Sequence, residues 1–324
     1  VLASIGTSRN AKRTTIIHLS FNIIGTIIFV TISLLFPFAD IVASLTPGNV
    51  PAQIANVHTI FNIGTTILLL PFGKQLVDLS YKLLPKRDED IEIKKVKYLD
   101  KTIFVNDYHI GTSAIANRQL FNEIQNMLTV AKTNLEMAFS ILVNWDEKKF
   151  DKIIDTEDYI DYLNKEIIEF TTLAISSELP VENSKSIGLF LKTAGDLERI
   201  GDHAINIAKR AKKLNENQNS FSSEAMQEIN EMNDLTMNVL KRLNTVNIDD
   251  PDTLIHKVDS LETIIDEKTS KFSYNQMLRL RDKKCTPENS ALFTETLIDF
   301  KRVGEHGVNI ANAFNEIKDV LTTI

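Results

Sequence analysis

A polar cassette of thirteen residues occurs twice in this chain of 324 residues. The first copy runs from Asp196 to Ala208 (DLERIGDHAINIA) and the second from Asp299 to Ala311 (DFKRVGEHGVNIA), with seven identical positions. Carboxylate, imidazole, guanidinium and amide groups recur together, so polar chemistry is repeated along with the core pattern. The second half of the chain is therefore predicted to be a tandem repeat of one supersecondary unit.

The spacing within the cassette predicts one polar stripe on each of two helices, because residues three and four apart share a helix face. The stripes consist of Asp196, Arg199, His203 and Asn206 in the first copy, and of Asp299, Arg302, His306 and Asn309 in the second. The histidines could act as general bases. We favour a role in helix packing or in orienting the ligands of a bound ion.

Acidic pairs four residues apart accompany the stripes: Glu157 with Asp161, Glu262 with Asp266, and Glu198 with Asp202. Like charges at this spacing destabilise a helix by about 0.2–0.5 kcal/mol, so their recurrence in register favours a bound cation. Carboxylate oxygens suit a divalent or ferric ion, namely Mg, Mn, Ca or Fe.

We predict metal ligands among Glu157, Asp161, Asp196, Glu198, Asp202, Glu262, Asp266, Asp299 and Glu305. The second repeat has Lys301 where the first has Glu198. The alternative is an internal salt-bridge network in which Arg199 and Arg302 neutralise the acids, with the histidines and asparagines of the stripes supporting it.

Two segments near the start, residues 14–36 and 52–72, contain no Asp, Glu, Lys or Arg. Each is long enough for a transmembrane helix, which needs about 20 apolar residues. Basic residues flank the pair on both outer sides, and the loop 37–51 holds only Asp40, so the positive-inside rule places everything after residue 73 in the cytoplasm. A pair of buried core helices is the alternative.

Both apolar segments carry the pattern His-x-x-Phe-Asn followed by Gly-Thr. A transport path is predicted along these polar positions, which are His18, Asn22, Thr26, His58, Asn62 and Thr65. Polar side chains in hydrocarbon usually face other protein or a water-filled path. The alternative is that they serve only as hydrogen-bonding contacts between packed helices.

The predicted fold is all-α: a transmembrane helical hairpin followed by a cytosolic six-helix bundle made of two three-helix repeats. Residues 1–87 form the membrane part, ending in an interfacial amphipathic helix at 73–87. Residues 88–111 form a linker that begins with a solvated charged run at 88–95. The bundle covers 112–324, with repeats at about 112–214 and 223–322. Its predicted helices are 112–143, 148–177, 183–214, 223–246, 251–282 and 287–322.

The motif Glu157-x-x-x-Asp161, taken with Glu198-x-x-x-Asp202 inside DLERIGDH, resembles the PhoU-type domain. This resemblance covers about residues 112–324 and implies a six-helix, two-repeat bundle whose Glu/Asp-x-x-x-Asp motifs bind metal clusters.

The segments LASIGTSRNAKR at Leu2–Arg13 and ANVHTIFN at Ala55–Asn62 are similar to the end of the bacterial sodium/phosphate cotransporter family. The glutamine-serine motifs that form the sodium and phosphate sites of that family do not occur in this sequence. The resemblance therefore implies that those motifs precede Val1, and that this is the C-terminal portion of a carrier.

The function expected from the sequence is sodium-dependent transport of inorganic phosphate, with sodium as the coupling ion and the bundle as a metal-binding regulator. The competing hypothesis is a membrane-tethered phosphate-signalling regulator that transports nothing and binds a cytosolic signalling protein. Either one would be a multi-pass protein of the plasma membrane with its C-terminal domain in the cytoplasm. The oligomeric state stays open between a monomer and a homo-oligomer.

Other classes of function are disfavoured. A net charge of −7 argues against nucleic acid as a partner. The single cysteine, Cys285, excludes an intramolecular disulfide framework. An enzyme is not expected, because neither a nucleophile–base pairing nor a phosphate-cradling glycine loop occurs in the sequence.

Overall fold

Helices dominate the computed structural model, which describes residues 9–84, 95–104, 112–176, 181–244 and 251–318. No β-strand occurs within these ranges. The chain divides into two compact units, residues 1–91 and 92–324. The predicted all-helical fold is therefore confirmed for the described part of the chain.

The described residues of the first unit form a helical hairpin with four helices: α1 (Arg9–Leu35), α2 (Phe38–Leu45), α3 (Val50–Leu69) and α4 (Gly73–Leu83). A 3₁₀ turn at Leu70–Phe72, which contains Pro71, joins α3 to α4. The prediction of a plain loop at 37–51 was wrong, because α2 lies within it. Tertiary packing explains α2: Val42 is buried, and Phe38 meets Phe29 of α1 edge to face at 4.8 Å.

The hairpin closes through small and aromatic residues. A Cβ atom on Gly25 of α1 would lie 2.4 Å from Thr65 Cγ2 of α3, so glycine is what allows the two helices to approach. Phe29 also packs edge to face on Phe61, with ring centroids 5.2 Å apart.

Helix α4 packs against α1. Leu76 and Ser80 are buried, Arg13 Nε donates to the Leu84 carbonyl at 3.2 Å, and the Arg13 guanidinium lies 4.7 Å from the centre of the Tyr81 ring. The helix predicted at 73–87 is present as α4 over Gly73–Leu83, and its place at a membrane surface stays a prediction. Residues 85–87, and linker residues 88–94 and 105–111, lie outside the described part.

Large apolar side chains cover the outside of the hairpin, including Ile27, Leu34, Ile63, Ile67 and Leu70. Two helical stretches, Lys12–Leu35 and Val50–Leu83, are long and apolar enough to cross a membrane. Only 6% and 11% of their apolar windows are buried within the structure. This criterion rests on length and composition alone.

Six long helices lie in the part of the second unit that the structure describes: α5 (Thr112–Val143), α6 (Glu147–Ser176), α7 (Val181–Glu216), α8 (Ser223–Asn244), α9 (Pro251–Arg281) and α10 (Pro287–Glu316). Their bounds lie within two residues of the predicted ones, except at the end of α10. Thr286 Oγ1 accepts from the Asn289 N–H at 3.1 Å and Pro287 is the first helical residue, as the sequence predicted.

The six helices of the bundle pack as two sets of three, one set for each repeat of the sequence. Helices α5, α6 and α7 pack on one another, as do α8, α9 and α10, and the two sets meet chiefly through α7 and α10. A continuous apolar core runs through both sets, with Phe170, Phe190, Phe293, Phe300 and Phe314 among its fully buried side chains. This packing puts the two polar cassettes, which lie on α7 and α10, against each other.

Candidate functional site

The acids of the first repeat gather between α6 and α7. Glu157 and Asp161 lie on α6, Glu198 and Asp202 lie on α7, and all four side chains are half-buried. Arg199 is 3.4 Å from Asp202 Oδ2 and 3.7 Å from Glu198 Oε2, while its own side chain is 63% exposed. The exposed Arg199 guanidinium thus lies near two of the four carboxylates.

Burial and mutual repulsion perturb the ionisation of these acids. Burial, followed by the charges of Asp161, Asp158 and Asp202, raises the pKa of Glu157 to about 7. Burial and then Asp202 raise the pKa of Glu198, against a smaller opposing effect of Arg199. Such a cluster gains stability from any cation that enters it.

The second repeat builds a tighter cluster that already contains a cation. Oxygens of Glu262, Asp266 and Glu305 can all lie within 4.8 Å of one another. Lys301 Nζ is 2.9 Å from Asp266 and 3.8 Å from Glu305. Lys301, which replaces Glu198, therefore offsets part of the negative charge of these three acids.

Burial and neighbouring acids also raise a carboxyl pKa in the second cluster. Burial, then Asp266 and Glu305, raises the pKa of Glu262, while Lys301 opposes the effect. Arg302 pairs with Glu305 on its own helix at 2.6 Å, so part of the predicted salt-bridge network is also present.

The histidines of the cassettes pair across the two repeats. His203 Nδ1 lies 2.7 Å from Asp299 Oδ1, and His306 Nδ1 lies 2.8 Å from Asp196 Oδ1. The two imidazole rings are 5.7 Å apart. Because a carboxylate only accepts, each Nδ1 carries a proton and donates. We name these four residues the inter-repeat seam.

The inter-repeat seam is not symmetric. Both oxygens of Asp299 are used, since Arg210 donates to Oδ2 while His203 donates to Oδ1. Asp196 Oδ1 accepts from His306 and from Asn309 at 3.2 Å, whereas its buried Oδ2 has no partner among the described residues. The two aspartates predicted as metal ligands thus have histidine as their direct partner. Asn206, the counterpart of Asn309, is half-buried on α7.

Most of the candidate transport-path residues are not brought together. His18, Thr26, His58 and Asn62 are exposed, and Asn22 donates to the His18 carbonyl of its own helix at 2.9 Å. Thr65 alone of the six lines a cavity of about 230 Å³, which is otherwise apolar and is formed with Gly25, Ile28, Phe29, Ile32, Phe38, Ile60, Gly64 and Leu68.

Sequence reasoning missed two charged residues of the second unit. Arg210 follows the first cassette, and no sequence signal marks it, because the corresponding position of α10 is Ala313. Glu123 is fully buried on α5. A signal for it did exist, since Glu123-Ile-x-x-Met127 recurs as Glu228-Ile-x-x-Met232.

Residues 124–211 match the PhoU domain family. The match runs from α5 through α7 and so includes all four acids of the first cluster. The second unit contains a PhoU-like domain.

Known proteins from other bacteria are similar in sequence to this chain. Phosphate-specific transport system accessory protein PhoU homolog 1 of Thermotoga maritima is 28% identical over 192 residues, covering 59% of this chain and 82% of the relative. A homologue from Clostridium acetobutylicum is 34% identical over 99 residues, 30% of this chain and 45% of its own length. The chain thus spans less than half of this second relative.

A solved structure supports the fold. The crystal structure of PhoU from Pseudomonas aeruginosa superposes with a TM-score of 0.58 at 18% identity, covering 64% of this chain and 98% of that one. This likeness concerns the bundle fold alone. The relatives from Thermotoga maritima and Clostridium acetobutylicum are named as accessory proteins of a phosphate-specific transport system. The resemblance of the hairpin to a cotransporter stays a prediction.

Proposed function

We propose that the PhoU-like domain regulates phosphate transport and that the helical hairpin holds it at the cytoplasmic face of the plasma membrane. The similarity to accessory proteins of phosphate transport, over 192 residues of this chain, carries this proposal. The apolar exterior of the hairpin supports the membrane attachment, because exposed leucine and isoleucine side chains on two long helices are stable in lipid. The partner is accordingly a phosphate transporter or a signalling protein attached to one.

Phosphate uptake by the native host tests the regulatory role. Deleting the coding region for residues 92–324 should alter how uptake responds to external phosphate, and supplying the intact chain should restore the response. A host whose uptake responds identically with and without the bundle would contradict the proposal.

We propose in addition that the acid clusters bind a divalent or ferric cation. The carboxylates of the first repeat suit such a cation. All four are half-buried, Glu198 stands where the second repeat has Lys301, and the pKa of Glu157 is raised. Bound cation would supply the positive charge that neutralises these acids and would tie α6 to α7. In the second repeat a cation would have to displace Lys301 from Asp266.

Metal content of the purified full chain tests the cation proposal. Glu157→Ala/Asp161→Ala should lose metal relative to the wild type, and equal content in both would contradict the assignment. Lys301→Glu gives the second repeat the acid found in the first, so it should raise metal content.

The second candidate is sodium-coupled phosphate transport by a larger membrane domain that ends in this hairpin. The recurrence of His-x-x-Phe-Asn in two antiparallel helices favours it, since inverted repeats are common in secondary transporters. Vesicles that contain the purified full-length protein should then take up phosphate only with an inward sodium gradient. The regulatory proposal predicts no uptake in vesicles that lack any other transporter.

A further inference from the structure

Residues 95–104, which precede the bundle in the chain, lie against α5 and α6. We call this segment the strap. Glu123 Oε2 accepts the backbone N–H groups of Lys97 and Tyr98, each at 2.8 Å, and its Oε1 accepts from Asn126 Nδ2 at 2.8 Å. A fully buried carboxylate requires such donors, because leaving it unpaired would be very costly. The strap supplies two of the three.

Further contacts hold the strap along its whole length. Tyr159 Oη donates to the Lys95 carbonyl at 3.0 Å, and the Asp100 N–H donates to Gln119 Oε1 at 2.8 Å. Lys101 Nζ lies 2.9 Å from Glu166 and 2.8 Å from Glu169 of α6. Residues 95–104 of the predicted linker therefore bind the bundle through both backbone and side chains.

Apolar contacts complete the seating of the strap. Leu99 is 9% exposed and belongs to the bundle core. Phe104 packs edge to face on Phe170 of α6, with ring centroids 5.0 Å apart. The strap thus fills a groove that would otherwise expose a core aromatic ring.

The second repeat satisfies the equivalent glutamate without a strap. Glu228 occupies the position of Glu123 in the recurring Glu-Ile-x-x-Met motif. It accepts from Arg279 at 2.5 Å and from Asn275 Nδ2 at 2.7 Å, both on α9. The Arg279 guanidinium lies 5.0 Å from the centre of the Phe293 ring.

The first repeat lacks both of those donors. Counted from Asp161 and Asp266, the positions of Asn275 and Arg279 correspond to Phe170 and Ala174 on α6. Phe170 contacts the strap, and Ala174 is a fully buried small residue. The recurring glutamate is therefore paired with an arginine of its own repeat in one case and with the strap backbone in the other.

We propose that the first repeat has a dedicated docking slot, with Glu123 at its centre, that takes an extended segment through two consecutive backbone N–H groups. Its occupant is the strap of the same chain. The strap lies beside α6, the helix that carries Glu157 and Asp161. Any rearrangement of α6 would therefore move the strap with it, because Tyr159, Glu166 and Glu169 of α6 hold the strap.

Amide hydrogen exchange of the full chain in detergent micelles tests the docking slot. In the wild type, the amides of Lys97 and Tyr98 should exchange slowly. Glu123→Leu removes the acceptor while keeping an apolar side chain of similar size, so exchange across the strap should rise about 10- to 100-fold relative to peptides from α7. Glu228→Leu is the matched control, which disturbs the second repeat and should leave the strap slow.

A competing side chain gives an independent test. Ala174→Arg places in the first repeat the guanidinium that Glu228 has in the second, and Phe190 stands where Phe293 does. This variant should release the strap while core amides of α7 stay protected. Strap exchange that is fast in the wild type, unchanged in Glu123→Leu and Ala174→Arg, or raised equally by Glu228→Leu would overturn the proposal.

Discussion

Burial and three neighbouring acids raise the pKa of Glu157 from its ordinary value of 4.5 to about 7. Between these two values the folded protein binds more protons than the unfolded chain. The stability gained from protonation is therefore complete below pH 4.5 and is lost as the pH rises through about 7. Without added cations, the melting temperature of the bundle should fall across this window, and Glu157→Gln should flatten the fall.

Thermal unfolding in a chelating buffer at a series of pH values measures the effect. Glu267→Gln is the control, because Glu267 is an exposed acid on α9. A saturating divalent cation should also flatten the profile of the wild type, since bound positive charge favours the ionised carboxylate. A Glu157→Gln profile parallel to that of the wild type would refute this account.

Arg210 is the residue on which the charge balance of the inter-repeat seam depends. Its side chain is 15% exposed and pairs with Asp299, which is 6% exposed. Arg210→Met would leave that buried carboxylate with His203 alone, and removing one partner of a buried pair costs about 3–5 kcal/mol.

Denaturant unfolding followed by the fluorescence of Trp145, the single tryptophan, measures this loss. The matched control is Arg199→Met, because Arg199 is 63% exposed and its ion pairs should contribute less than about 1 kcal/mol. Comparable losses in the two variants would mean that the seam does not depend on Arg210.

Close approach of α10 to α8 depends on one glycine. A Cβ atom on Gly307 would lie 2.3 Å from Val239 Cγ1. Gly307→Ala should therefore destabilise the bundle by about 1–3 kcal/mol through overpacking.

The helical Gly195, where an added Cβ would meet nothing within 4 Å, gives the opposite expectation. Gly195→Ala should stabilise the bundle by about 0.4–1 kcal/mol, because alanine restricts the unfolded chain. Denaturant midpoints of the two variants should move in opposite directions, and a shared direction would contradict the packing argument.

Helix bounds in the bundle were predictable because local signals fix them. Proline, a capping threonine and breaks in apolar periodicity depend on a few adjacent residues, as at Thr286 and Pro287. Helix α2 and the strap were missed because their structure depends on distant partners: Phe29 for Phe38, and Glu123 for Lys97 and Tyr98.

The proposed membrane topology places Cys285 in the cytoplasm and α2 on the outer side of the membrane. Cys285 is the only cysteine, and it should react with a membrane-impermeant maleimide only after cells are permeabilised. In a Cys285→Ser background, Ser44→Cys on the exposed face of α2 should react in intact cells. Labelling of Cys285 in intact cells, or protection of position 44, would exclude the proposed topology.

The sequence alone determined the helical class, the two repeats and the acids on helix faces, because periodicity and motif recurrence are properties of neighbouring residues. Only the tertiary structure decided which groups meet. Asp196 pairs with His306 and Asp299 with His203, because α7 packs on α10. Lys301 neutralises Asp266, and the strap satisfies Glu123, for the same reason: a buried charge takes its partner from whichever element packs beside it.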